Sequence, residues 1–198
     1  MDFTLAPRAA EVSLVSGRGH YETVVEAVRS ARRSVWIATA NLKELMVEDH
    51  RLVPGRRRGG RSAYRSILEE LDDLSASGVE IRILHAGVPS RVFREHFDRL
   101  DRLVSGAVEL RRCPRVHLKA VVVDASFLYL GSANWTGAGL GAKGVGRRNF
   151  ELGIVTTDDG LLDQVQEIYD RIFRGAECGA CRLRDDCEMP LVEIARAV

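Results

Sequence analysis

The chain has 198 residues, of which 45% are hydrophobic and 29% charged, and its formal net charge at pH 7 is +1. This length suits one domain with a sizeable core. The near-neutral net charge does not by itself indicate a nucleic-acid or membrane partner. No apolar run approaches the ~18 residues of a membrane span, and residues 1–10 lack the basic and apolar regions of a secretory signal. We therefore predict a cytoplasmic protein, in which disulfides are not expected.

Hydrophobic periodicity predicts strands and helices that alternate along the chain. Apolar or alternating runs predict strands over residues 11–16, 35–39, 79–84, 108–111, 120–123 and 150–156. Apolar residues spaced by three and four predict helices over 20–33, 62–77, 89–104 and 160–173, with Ser62 as N-cap of the second. This alternation favours an α/β sandwich with a mixed, mostly buried sheet.

Basic residues are concentrated in three segments. Residues 41–61 hold few apolar positions, which predicts a mobile basic loop of functional importance. The three clusters are Arg51, Arg56, Arg57, Arg58 and Arg61; Arg111, Arg112 and Arg115; and Lys143, Arg147 and Arg148. Any one cluster is typical of a solvated loop, but the three together favour a polyanionic substrate.

The stretch 116–136 carries the residues with the clearest chemistry. Residues 120–123 are Ala-Val-Val-Val and predict a buried strand. His117 and Lys119 are two residues apart, so on an extended backbone they project from one face and can grip one anion. Gly-rich turns follow, and they can bring backbone amides to a phosphate.

These side chains suit phosphodiester chemistry. His117 can act as a nucleophile or as a general acid and base, and Lys119 offers a positive charge to phosphoryl oxygens. Ser132 and Asn134 can donate hydrogen bonds to the same oxygens, and Glu151 can set the tautomer of His117. A single His is more often structural, but the complete pattern H-x-K-x4-D-x6-G-S-x-N over 117–134 is far more specific. The sequence shows no carboxylate cluster for a catalytic metal, so we predict catalysis without one.

Residues 117–134 resemble the HKD signature of the phospholipase D superfamily. Residues 149–153 resemble the Asn-x-Glu-x-Gly strand that follows this signature, and the resemblance extends over residues 10–173. It implies a phospholipase D-like α/β/α sandwich. We expect a catalytic domain over residues 1–175 and a Cys-containing tail over 176–198 that packs on it.

The resemblance also implies a two-step reaction. His117 attacks phosphorus to give a phosphohistidine, a second HKD histidine protonates the leaving group, and water or another alcohol resolves the intermediate. Glu151 orients His117, and Asp124 orients neighbouring groups rather than contacting substrate. The phosphate is held by Lys119, Ser132 and Asn134.

The signature occurs once, although the reaction needs two histidines. Small members of the superfamily with one copy build a shared site across a homodimer two-fold axis, so we expect a homodimer. Short one-copy chains resemble bacterial endonucleases of the superfamily, and the arginine clusters agree with a DNA or RNA substrate. Trp135 is either a base-stacking residue or a core or interface residue. The alternatives are a phospholipase D or phosphatidyltransferase acting on phospholipids, and a catalytically silent nucleic-acid-binding protein.

The four cysteines suggest a structural metal site. Cys178, Cys181 and Cys187 form C-x2-C-x5-C, and Cys113 lies four residues before His117. Four thiolates suit structural zinc or a [4Fe-4S] cluster. The spacing in the tail resembles that of iron-sulfur nucleases related to the RecB family, whereas unliganded thiols are the other interpretation. A metal at this position would hold the tail against the edge of the catalytic strand.

Overall fold

The computed structural model describes residues 4–49, 63–185 and 187. The strands are β1 (Ser13–Ser16), β2 (Ser34–Thr39), β3 (Met46–Glu48), β4 (Tyr64–Ser66), β5 (Glu80–His85), β6 (Val108–Arg112), β7 (Ala120–Val123), β8 (Phe127–Gly131) and β9 (Leu152–Thr156). The helices are α1 (Glu26–Arg29), α2 (Ile67–Ala76), α3 (Arg91–Phe97) and α4 (Asp159–Phe173). A π-helical turn over Tyr21–Val25 leads directly into α1, and two further helical turns span Leu103–Ala107 and Val145–Arg147.

Seven strands form one sheet in the order β1-β9-β8-β7-β2-β5-β6. Strands β2, β5 and β6 are parallel, whereas β2-β7, β7-β8, β8-β9 and β9-β1 are antiparallel pairs. Strands β3 and β4 form a separate antiparallel pair. The mixed sheet with its helices confirms the predicted α/β class.

Helices cover both faces of the sheet. Val35 and Ile37 of β2 belong to the core cluster that includes residues of α1 and α2. Ala38 lies on the opposite face with Tyr169 and Phe173 of α4. All four residues of β7 are buried because this central strand is covered on both sides, which explains its uninterrupted apolar run. The layers are therefore helix, sheet and helix.

Several predicted elements have different bounds. Helix α2 begins at Ile67, where Ser66 Oγ accepts the N–H of Leu68 at 3.0 Å, because the preceding residues pair in β4. Helix α3 ends at Phe97, and Leu103 reaches the core through a separate helical turn. Strand β8 has no counterpart in the predicted elements.

Residues 50–62 lie outside the described residues, and they include Ser62 and all five arginines of the predicted basic loop. Among the described helices, none is long and apolar enough to cross a membrane.

Candidate active site at one edge of the sheet

The antiparallel order of the central strands brings distant parts of the sequence to one edge of the sheet. His117 and Lys119 lie just before β7, Ser132 follows β8, and Glu151 precedes β9. Because neighbouring strands run in opposite directions, the start of β7, the end of β8 and the start of β9 coincide. The end of β2 at Thr39 lies at the same edge, since β2 is antiparallel to β7.

His117 and Lys119 are in direct contact. Lys119 Nζ lies 3.0 Å from Nδ1 and 3.1 Å from Nε2 of His117, and it donates to the His117 carbonyl oxygen at 2.9 Å. The imidazole is exposed and the lysine is half-buried. Burial lowers the pKa of Lys119, and the nearby Glu151 carboxylate partly offsets this effect. The pair thus places an accessible imidazole beside a positive charge.

Glu151 binds other residues than the sequence predicts. Its carboxylate accepts a short hydrogen bond from Ser132 Oγ and a 3.1 Å bond from Asn149 Nδ2. Ser132 Oγ also accepts the N–H of Leu152 at 3.1 Å, so the turn after β8 is fastened to the start of β9. Within one chain, the side-chain partners of Glu151 are thus Ser132 and Asn149, and its hydrogen bond to His117 stays a prediction.

Asn134 is held in one orientation by the end of β2. Its Oδ1 accepts N–H groups from Ala40 at 3.1 Å and Asn41 at 3.0 Å, and the Thr39 hydroxyl lies 3.3 Å away. Thr39 is buried, and its Oγ1 accepts the N–H of Trp135 at 2.9 Å. Because donors occupy Oδ1, the amide NH2 of Asn134 is left to donate to a ligand, as a phosphate grip requires.

Tyr129 and His20 support the site from beneath, and sequence reasoning missed both. The Tyr129 hydroxyl accepts the N–H of Ala133 at 3.3 Å, and burial raises the Tyr129 pKa to about 12. A Cβ at Gly131 or Gly153 would come within 2.3 Å of the Tyr129 side chain, so these glycines make room for it. His20 is fully buried and meets Tyr129 edge to face at 5.5 Å between ring centroids. Gly131 and Gly153 were the available sequence signal for the close approach of the Tyr129 side chain.

Asp124 lies at the opposite edge of the sheet from His117. Its carboxylate accepts backbone N–H groups from Arg33 at 2.7 Å, Ser34 at 2.9 Å and Arg32 at 3.0 Å. Burial acts to raise the Asp124 pKa, but these hydrogen bonds outweigh it and hold the pKa below its ordinary value. Asp124 therefore fastens the start of β2 to the end of β7.

Asp124→Ala should destabilise the fold by about 1–3 kcal/mol at pH 7, because three backbone donors lose their charged acceptor. A lowered carboxyl pKa contributes stability that is complete above the unfolded pKa and is lost as pH falls through the folded one. In urea unfolding, the free energy of unfolding should thus be higher for the wild type than for the variant at pH 7, and this difference should shrink below about pH 4. Asp163→Ala, at an exposed position of α4, is the matched control and should cost little. An equal loss in both variants would contradict this role.

The predicted metal site is not supported by the structure. Electrostatic coupling of Cys113 to Cys178, Cys181 and Cys187 places the four thiols in one region, and burial is the main cause that raises the Cys113 pKa. All four cysteines are free. A hydrogen bond to Cys181 raises the pKa of the Arg115 guanidinium. Across residues 4–49, 63–185 and 187, no group of three or more His, Cys, Asp or Glu side chains can hold a metal ion.

The other proposed nucleic-acid contacts differ in accessibility. Trp135 is 2% exposed, so it is a core residue and cannot stack on a base. Arg111 pairs with Glu109 at 3.2 Å and is only 17% exposed. Among the described cations of the three predicted clusters, Arg115, Lys143 and Arg147 are exposed.

Comparison with known proteins gives a consistent picture. Residues 24–173 match the sequence model of the family described as Cardiolipin synthase, PLD-like domain, whereas no curated protein matches the chain. The structure is similar to NucT from Helicobacter pylori, with a TM-score of 0.57 and 16% identity, over 83% of this chain and 96% of that one. It is also similar to Nuc from Salmonella typhimurium, a phospholipase D family member, with a TM-score of 0.55 and 18% identity, over 81% and 93% of the two chains. Phosphatidylserine synthase from Haemophilus influenzae aligns with a TM-score of 0.54 and 15% identity, over 84% of this chain and 39% of that one.

Proposed function

This chain belongs to the phospholipase D superfamily, and we propose that it is a nuclease that cleaves phosphodiester bonds through a phosphohistidine without a catalytic metal. The observation that carries the proposal is the contact of the exposed His117 imidazole with Lys119 Nζ at 3.0 Å, at the edge where Ser132 and Asn134 also lie. A nucleophile, a fixed cation and oriented hydrogen-bond donors are the groups that phosphoryl transfer requires.

In the first step, a ring nitrogen of His117 attacks phosphorus and the P–O bond to the leaving group breaks. The ammonium of Lys119 and the amide of Asn134 stabilise the negative charge on the non-bridging oxygens. The leaving oxygen takes a proton from His117 of the second copy. In the second step that histidine removes a proton from water, whose oxygen attacks phosphorus and releases the first His117.

The second histidine comes from a second copy of the chain in a homodimer. Apolar side chains that are unusually exposed lie beside the catalytic groups: Phe150 is fully exposed, Leu152 is 55% exposed and Leu118 is 37% exposed. These residues, here called the apolar rim, are neighbours in sequence of Glu151, His117 and Lys119. A two-fold axis through the site would bury the apolar rim and bring two His117 side chains to one phosphate.

Nucleic acid is the substrate class that best fits the charges. Arg115, Lys143 and Arg147 are exposed on loops that flank the site, and such cations bind a chain of phosphates. An exposed apolar rim would also suit a phospholipid, so phosphatidyl hydrolysis or transfer is the second candidate. The cytoplasm is the proposed compartment, where free thiols persist.

Cleavage assays with several substrates in parallel test this function. Purified protein in excess EDTA should cleave plasmid, single-stranded DNA or RNA at the same rate as without EDTA, because no step uses a metal. A lipid-release assay on phosphatidylcholine and phosphatidylglycerol vesicles runs beside it. Loss of nuclease activity in EDTA would contradict the mechanism, and release of headgroup without nucleic-acid cleavage would select the lipid alternative. Binding of nucleic acid without cleavage would indicate a catalytically silent protein.

A further inference from the structure

A cavity of about 530 Å³ opens beside His117, between the segment that precedes β7 and the C-terminal half of α4. Its apolar walls are Val116, Leu118, Ile168 and Ile172. Arg115 and Glu177 also line it. We call it the flanking cavity. Ligand sites for small organic groups have volumes of ~300–1,000 Å³, so the flanking cavity has room for an aromatic ring system.

The position of the flanking cavity limits what can occupy it. His117 is itself part of the wall, so an occupant lies next to the imidazole that attacks phosphorus. A phosphodiester carries two substituents, and the group that enters the cavity must belong to one of them. If two copies of His117 face one phosphate, their two cavities lie on both sides of it and can receive both neighbouring nucleotides.

The wall chemistry favours a nucleobase over an acyl chain. Aliphatic side chains such as Ile168 and Ile172 can pack on the face of a base. Arg115 has N–H groups beyond the one that bonds Cys181, so Arg115 and Glu177 can offer a donor and an acceptor to the edge of the base. Glu177 pairs with Arg171 at 2.8 Å, which offsets its repulsion of a phosphate. An acyl chain would instead desolvate Arg115 and Glu177 without giving them hydrogen-bond partners.

We propose that the flanking cavity binds the base of the nucleotide next to the scissile phosphate and thereby sets which phosphodiester bonds are cleaved fastest. This inference rests on the proposed nuclease function. Ile168 and Glu177 are its specificity-determining residues: the first supplies a packing surface, and the second supplies a hydrogen-bond acceptor.

The test uses a 5′-labelled single-stranded DNA with one internal abasic position, digested by the full-length protein under single-hit conditions. In the wild type, bonds that flank the abasic position should be cleaved about tenfold more slowly than remote bonds of the same strand. Ile168→Trp fills the flanking cavity, so this variant should cleave the bonds next to the abasic position and the remote bonds at similar rates. Glu167→Trp, at an exposed neighbouring position of α4, is the matched control and should behave as wild type.

A second variant covers the case in which Ile168→Trp does not fold. Glu177→Gln keeps the side-chain shape, and sequencing of cleaved ends from a randomised library should show an altered base frequency beside the cut. Equal cleavage of flanking and remote bonds by the wild type, with cleavage still dependent on His117, would overturn the cavity assignment alone. Cleavage that does not depend on His117 would overturn the proposed function instead. If the wild type releases lipid headgroup and Ile168→Trp does not, the occupant of the cavity is an acyl chain, and this result would also overturn the assignment.

Discussion

His117→Ala should lower the rate of nucleic-acid cleavage by a factor on the order of 10⁴ or more, because it removes both the nucleophile and the general acid of the proposed reaction. Lys119→Ala should cost less, about 10²- to 10³-fold, since it removes one source of charge stabilisation while the imidazole remains. Initial rates on a labelled single-stranded oligonucleotide, measured with substrate in excess, give both ratios.

Trapping the intermediate separates a chemical role of His117 from a structural one. Rapid quenching of the wild type with base during turnover should leave a phosphoramidate adduct on His117, detectable by mass spectrometry of the digested protein. The adduct should be absent from His117→Ala, whose thermal unfolding should match the wild type because the side chain is exposed. His96→Ala removes an imidazole on α3 and should form the adduct normally. An adduct on another residue would reassign the nucleophile.

The sequence predicts the composition of the candidate site better than its contacts. The spacing from His117 to Asn134 crosses β7, β8 and the turn between them, so it brings the ends of one hairpin together. Strand β8 itself escaped prediction because it follows closely on a turn with left-handed backbone at Asp124 and Ala125. Without β8, the adjacency of Ser132 and Glu151 across the β8-β9 pair could not be derived.

The separation of Asp124 from the site follows from strand geometry alone. Four strand residues, and therefore five steps along the backbone, separate it from Lys119, and at ~3.3 Å per step this places it roughly 16 Å away. Thr39 and His20 are different cases, because they reach the site through sheet pairing and packing between segments more than 90 residues apart in sequence. Local periodicity contains no information on such contacts, whereas the two glycines against Tyr129 do mark a close approach.

Phe150→Glu should dissociate the proposed dimer and abolish activity together. Phe150 is fully exposed beside Glu151, and an interface at this edge would bury an aromatic side chain from each copy. The substitution places a charge on each side of the two-fold axis, so the dissociation constant should rise by about two orders of magnitude or more. Analytical ultracentrifugation and cleavage rates over a range of protein concentrations measure both effects. Val104→Glu is the matched control, since Val104 is 56% exposed at the opposite edge of the sheet and should change neither.

Mixing subunits tests whether the dimer shares one site. If both copies of His117 act on one phosphate, a dimer of one wild-type and one His117→Ala chain is inactive. An equal mixture, exchanged to equilibrium, should then retain about a quarter of the activity of the same total amount of wild type, because only wild-type pairs react. Two independent sites would retain about half. Full activity per wild-type chain in a strict monomer would contradict the shared site, because a single His117 would then supply both the nucleophile and the acid.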